Sequence, residues 1–278
     1  MQNAEAAEST LYIYCDAGKQ QATPGDLNSI EKVRAVVKSK KWCGIVEIIE
    51  REKNLGLAAS VIDGVTTVLN KHESVIVLED DLVVSKYFLQ FMNEALIKYR
   101  LEEKVISIHG YTYPVKEKLP QTFFLKGADC WGWATWKRGW DLFEPDGAKL
   151  LSELKKTDSE ASFNFNHAYD YMKMLQLQVK GKNSSWAIRW YASAFLKDKL
   201  TLYPGKSLVQ NIGTDGAGTH IGKTTLYEVG ISDDPIVLKD IPVEHSKEAY
   251  TIFENYFRQT HTGTLQHYLM NIKYNLPF

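Results

Sequence analysis

The run Val75-Ile76-Val77-Leu78-Glu79-Asp80-Asp81-Leu82 sets an almost continuous apolar strand directly against three carboxylates. Four apolar residues without polar alternation predict a central parallel strand covered on both faces. Upstream, Leu11 to Cys15 reads as a buried strand that ends in the turn Asp16-Ala17-Gly18. Leu27, Ile30, Val33 and Val37 then recur at helical spacing behind a cap at Asp26. Gly44 to Ile49 is the next strand, and Leu57, Val61, Val65, Val68 and Leu69 give the buried face of the next helix. Downstream, Ser85 caps a helix striped by Phe88, Phe91, Met92, Ala95, Leu96 and Tyr99, and Val105 to Ile108 is a further strand. Strands alternating with helices in this way predict an open α/β sheet.

Ligands of such sheets bind beyond the carboxyl ends of the strands, where Asp16 and the Glu79-Asp80-Asp81 triplet fall. Adjacent carboxylates repel one another unless a cation or hydrogen-bond donors compensate, and a hard divalent ion such as Mg²⁺ or Mn²⁺ is the simplest compensation. Solvated strand-end acids or helix caps are the plainer alternative.

Only ten residues precede Leu11, fewer than the strand and helix with which a nucleotide-binding sheet usually begins. Either the first β-α unit is absent from this chain or the fold tolerates its loss. Beyond Tyr113 the text loosens. Tyr169 to Val179 and Trp186 to Leu196 read as helices, Leu200 to Tyr203 as a short strand, and Ser246 to Arg258 as a final helix. One main domain over 1–222 with a C-terminal extension over 223–278 is expected.

With 33 basic and 34 acidic side chains among 278 residues, the chain has no global field to hold nucleic acid. Cys15, Cys43 and Cys130 are far apart and odd in number, which argues against a disulfide framework or a zinc site. No basic leader and no run of about 18 apolar residues is present, so a soluble, cytoplasmic protein is expected.

Val77 to Leu82, followed by Ser85 and Tyr87-Phe88-Leu89, resembles the strand, acidic triplet and aromatic helix of GT-A glycosyltransferases, nearest to the family that adds N-acetylglucosamine to mannose. The likeness extends to Leu11 to Asp16, to Asn54-Leu55-Gly56-Leu57, to Trp131-Gly132-Trp133-Ala134-Thr135-Trp136, to Trp186–Trp190 and to Asn211–His220. It covers roughly residues 11 to 222. It implies an open mixed sheet flanked by helices and inverting transfer from a UDP-sugar, with UDP-N-acetylglucosamine as donor and Mn²⁺ or Mg²⁺ as cofactor. A glycan or lipid-linked saccharide would be the acceptor, which leaves room for peripheral membrane association. Asp81 would bind the metal, Glu79 a donor hydroxyl, Asp80 would hold the ribose or support the site, and Asp16 would meet the uracil or ribose. His220 is a candidate second ligand or diphosphate contact.

Of the four tryptophans between Trp131 and Trp140, Trp131 and Trp133 are assigned to a sugar-stacking pocket, and Trp136 and Trp140 to one buried helix face. The resemblance also calls for an Asp immediately before Trp186, where this chain has Ser185. A serine without a neighbouring base cannot take the acceptor's proton, so Asp129 or Asp215 would have to do so. Arg189 is a candidate contact for the diphosphate or an acceptor carboxylate. Two alternatives stand beside the transferase: a non-catalytic nucleotide-sugar or saccharide-binding protein of the same fold, and a sugar nucleotidyltransferase. The second should carry a Gly-rich triphosphate loop, and none precedes Asp16.

Overall fold

A computed structural model describes residues 3–213 and 224–261. In chain order the elements are β1 (Thr10–Cys15), α1 (Pro24–Lys38), β2 (Ile45–Glu50), α2 (Gly56–Leu69), β3 (Ser74–Val77), β4 (Leu82–Val84), α3 (Phe88–Lys98), β5 (Val105–His109), β6 (Thr122–Lys126) and β7 (Trp133–Trp136). They continue as α4 (Lys137–Trp140), α5 (Gly147–Lys156), α6 (Glu160–Phe163), α7 (Tyr171–Val179), α8 (Trp186–Leu196), β8 (Leu200–Pro204), β9 (Val209–Asn211) and α9 (Lys247–His261). The fold is mixed α/β. A five-stranded sheet runs β3-β7-β5-β8-β6, with parallel and antiparallel neighbours, while β1 pairs with β2 in parallel and β4 with β9 antiparallel.

This corrects the placing of β3. Its apolar side chains are covered on both faces as expected, Ile76 by the α3 side and Val75 and Val77 by the α2 and α8 side. The strand is nevertheless at the edge of its sheet, bonded only to β7 among the described strands. The β1–β2 pair adds no hydrogen bonds to it, and α2 packs on both β1 and β3 instead. The central strand is β5, buried at every position.

Local signals explain most boundaries. Helix α1 starts at Pro24 and is capped by Thr23, whose hydroxyl accepts from the Asp26 N–H while the Asp26 carboxylate accepts from the Thr23 N–H. Asp26 thus closes a capping box instead of forming the cap itself, because Pro24 presets the first helical φ. Helix α1 has no buried residue, and Leu27 and Val33 remain 50% and 58% exposed. Helix α3 starts at Phe88 without a side-chain cap; Ser85, expected to cap it, lies in the preceding turn, where its hydroxyl accepts from the Tyr87 N–H.

The core lies on both faces of the large sheet. Phe88, Phe91, Met92 and Ala95 of α3 meet Ile108, Phe124, Trp136 and Leu202 on one face, while Val65 of α2 and Trp186 and Trp190 of α8 meet Ile106 and Trp133 on the other. Trp133 and Trp136, three apart on β7, therefore enter opposite layers, and Trp140 joins the layer of Trp133. The expected shared helix face of Trp136 and Trp140 is not formed, because Trp136 belongs to a strand. Helix α9 packs Ala249, Phe253 and Phe257 against Phe123 and Tyr203, which joins the C-terminal segment to the β6 edge. No helix among the described residues is long and apolar enough to cross a membrane.

Candidate functional site

The acidic triplet turns directly from the end of β3 into β4, with the Leu82 N–H donating to the Glu79 carbonyl. Pairing of β4 with β9 then fixes Asp81 against the chain that leaves β9. Leu82 is opposite Asn211, and the Ile212 N–H donates to the Asp81 carbonyl at 2.8 Å. Asn211 also hydrogen-bonds the Asp81 carboxyl through its side chain. A β-carbon on Gly213 would stand only 2.4 Å from Asp81 Oδ2, so this close approach requires glycine. Asp81 Oδ1 is buried without a hydrogen-bond partner.

Charge is crowded here. Burial, then Asp81 and Asp80, push the Glu79 carboxyl up to about 7. Burial, followed by Asp80, raises Asp81 as well, against its hydrogen bonds. Asp80 points to solvent. Carboxylates crowded in this way repel one another, and the orphan oxygen of Asp81 is left without a compensating donor or cation. Among the described residues no three His, Cys, Asp or Glu side chains form a ready cluster for a metal, so further oxygens must come from a ligand or from elsewhere in the chain. His220 and Asp215 lie outside the described residues.

The segment Asp129-Cys130-Trp131-Gly132, leading into β7, forms the neighbouring wall. Gly132, at φ 64°, has the Leu78 side chain within van der Waals reach of where its β-carbon would be. Cys130 lies in the fields of Asp129, Glu79 and Asp81, which add to burial in holding its thiol protonated. The Asp129 side chain is 26% exposed and accepts from the Cys130 N–H at 2.9 Å. Its field reaches the phenols of Tyr111, Tyr113, Tyr169, Tyr171 and Tyr203, all raised first by burial. Tyr113, Tyr169 and Tyr171 are strongly desolvated, although part of each remains exposed.

Trp131 belongs to this wall: it is half-buried, and its ring meets Tyr111 and Tyr227 edge-on at 4.8 and 5.4 Å. Trp133 does not. It is 0% exposed and packs against Trp140, Trp186 and Trp190, because inward alternation on β7 sends it into the core.

Asp16, at the end of β1, is held by the backbone around it. Its Oδ1 accepts from the Ala17 and Leu55 N–H groups and its Oδ2 from the Gly56 N–H, each at 3.0 Å. The carboxylate thereby fastens the end of β1 to the start of α2, where Gly56 takes φ 72°. Arg189 is likewise committed, donating to the carbonyls of Ser185 and Pro145 and stacking over Phe143. Ser185 caps α8, its hydroxyl accepting from the Ile188 N–H at 3.2 Å.

Sequence reading missed His109. It ends β5, is 1% exposed at its side chain, and accepts at Nε2 from the Trp131 N–H at 3.1 Å. Its position at the carboxyl end of a strand was the available signal, hidden inside an otherwise apolar run.

No protein-family model matches the chain, and neither does any curated protein.

Proposed function

We propose that this chain is a GT-A glycosyltransferase that moves a sugar, N-acetylglucosamine in the first instance, from a UDP-sugar to a saccharide acceptor with inversion. The observation that carries the reading is the buried, unpartnered Oδ1 of Asp81 within a carboxylate triplet at the end of β3, held against Gly213 by the β4–β9 pair. Asp81 would hold a divalent cation, Mn²⁺ or Mg²⁺, which supplies positive charge beside the donor diphosphate. Glu79, with its carboxyl protonated up to about 7, presents a hydrogen-bond donor or acceptor to a sugar hydroxyl. Trp131 offers an indole wall to a sugar's apolar face. Asp129, partly exposed beside this wall, takes the proton of the acceptor hydroxyl. That oxygen attacks the anomeric carbon, the bond from carbon to phosphate oxygen breaks, and its electron pair leaves with UDP.

Calorimetric titration of UDP and UDP-N-acetylglucosamine, with and without Mn²⁺, tests the reading on the native chain and on Asp81→Ala. Metal-dependent binding that vanishes in the variant is expected. Folded protein that binds neither ligand under either condition overturns it.

Ser185 favours a second reading. Its hydroxyl is spent on capping α8, so the position that resembles the family's base does no acid–base work here. A nucleotide-sugar-binding protein without transfer would have that property. Release of free sugar from the bound donor separates the two, being expected of the transferase alone.

A further inference from the structure

His109 stands directly behind Asp129. Its ring is held edge-on by Tyr203, with centroids 5.0 Å apart, and by Tyr111 at 6.2 Å. Because Nε2 accepts from the Trp131 N–H, a neutral ring must carry its single proton on Nδ1. Nδ1 is buried with no hydrogen-bond partner and lies 3.8 Å from Asp129 Oδ2. That separation exceeds a hydrogen bond, as catalytic pairs often do before ligand binding draws them together.

We propose that His109 is the positioning residue for Asp129: its Nδ1–H, 3.8 Å from Oδ2, orients the carboxylate, while the Cys130 N–H holds Oδ1. The catalytic part of this inference rests on the transferase reading; the pairing itself does not. In the transfer step the acceptor's proton goes to Asp129, and His109 keeps its own proton throughout. Burial opposes a second proton on the ring, against the pull of Asp129 and of the Tyr111 backbone. One chain of contacts therefore runs from the Trp131 amide through the imidazole to the carboxylate, so that the sugar-facing wall and the base share one support.

The groups facing Asp129 from the packed elements are the phenols of Tyr111 and Tyr113 after β5, Tyr169 and Tyr171 at α7, Tyr191 on α8 and Tyr203 on β8, with the Cys130 thiol beside it. Burial raises all of these, so none titrates in acid. Glu79, reached through Cys130, does titrate, and the experiment must separate it from Asp129.

The test is nitrogen-15 NMR of the imidazoles in the full chain between pH 3 and 9, repeated on Asp129→Asn and Glu79→Gln. The expected result is a proton on Nδ1 of His109 and an unprotonated Nε2 near neutrality. The Nδ1–H resonance should then shift once in the acid range, keep that shift in Glu79→Gln and lose it in Asp129→Asn. A proton on Nε2 in the native chain overturns the pairing without any variant. So does a shift that persists in Asp129→Asn, or a resonance that ignores pH because Nδ1–H is bonded to the Tyr111 backbone. On the enzyme, the acid limb of UDP-sugar hydrolysis should move to higher pH in His109→Phe and return toward the native position in His109→Gln, which keeps a donor. A chain that binds no UDP-sugar fails the transferase reading, and the NMR result still decides the pair.

Discussion

Gly213 is in contact with the Asp81 carboxylate, and a β-carbon at that position would fall 2.4 Å from Oδ2. Gly213→Ala must therefore displace the carboxylate or the end of β9. The expected cost of about 1–3 kcal/mol falls on the site, weakening Mn²⁺-dependent UDP binding by a factor of about 5 to 150. Calorimetry against the native chain, with thermal unfolding as the control for fold, measures it. Unchanged metal-dependent binding would place the cation away from Asp81.

Glu79 makes stability depend on pH in the direction opposite to an ordinary ion-paired acid. Its carboxyl titrates near 7 in the folded chain against an ordinary 4.5, so between those values the folded state binds the extra proton. Stability is fully present below the unfolded value and declines as pH rises through 7, by up to about 3 kcal/mol for this group. Urea unfolding at pH 5 and pH 8 should show the metal-free native chain losing more stability than Glu79→Gln over that interval. Added Mn²⁺ should reduce the difference at pH 8.

Removing the Asp16 carboxylate frees three backbone amides at the junction of β1 and α2. Asp16→Ala is expected to cost about 2 kcal/mol, and Asp16→Asn, which retains one acceptor oxygen, less. Denaturant midpoints measure both. Loss of UDP binding in Asp16→Ala with full native stability would instead make Asp16 a nucleotide contact.

Trp131 and Trp133 should separate cleanly. Trp133→Ala empties a fully buried site among three other indoles, and is expected to cost about 3–5 kcal/mol in chemical denaturation. Trp131→Ala opens a half-buried wall, and should cost less stability while weakening UDP-sugar relative to UDP. Equal losses of stability would remove Trp131 from the site.

The sequence read well where one physical signal dominated. The apolar run into Glu79 gave a strand and its terminal acids, and the helical periodicities gave α2, α3, α7, α8 and α9 to within a few residues. It read poorly where long-range pairing decides. Thr122–Lys126 and Trp133–Trp136 carry no alternation, and become strands only through β8, β5 and β3. Trp131 and Trp133 look equivalent in the text, yet one side chain stays part-exposed and the other is in the core. Asp16 was legible as a strand-end acid, but nothing local reveals that its oxygens are taken by amides 39 and 40 residues away. His109 escaped notice because its meaning depends on Trp131 and Asp129, which reach it across the sheet.

The separation of β1–β2 from the main sheet divides the molecule into parts that need not open together. The outer pair has the 15-residue helix α1 laid over it without one buried side chain, whereas β5 has none exposed. Amide protons of β1 and β2 should therefore exchange through a shallow, partial opening, and those of β5 and β8 only on global unfolding. The Asp16 brace sits on the soft side of that boundary and the Asp81, Asp129 and His109 groups on the firm side. A ligand that bridged the two would be expected to slow exchange in β1 first, so occupancy could be followed at a strand it need not touch.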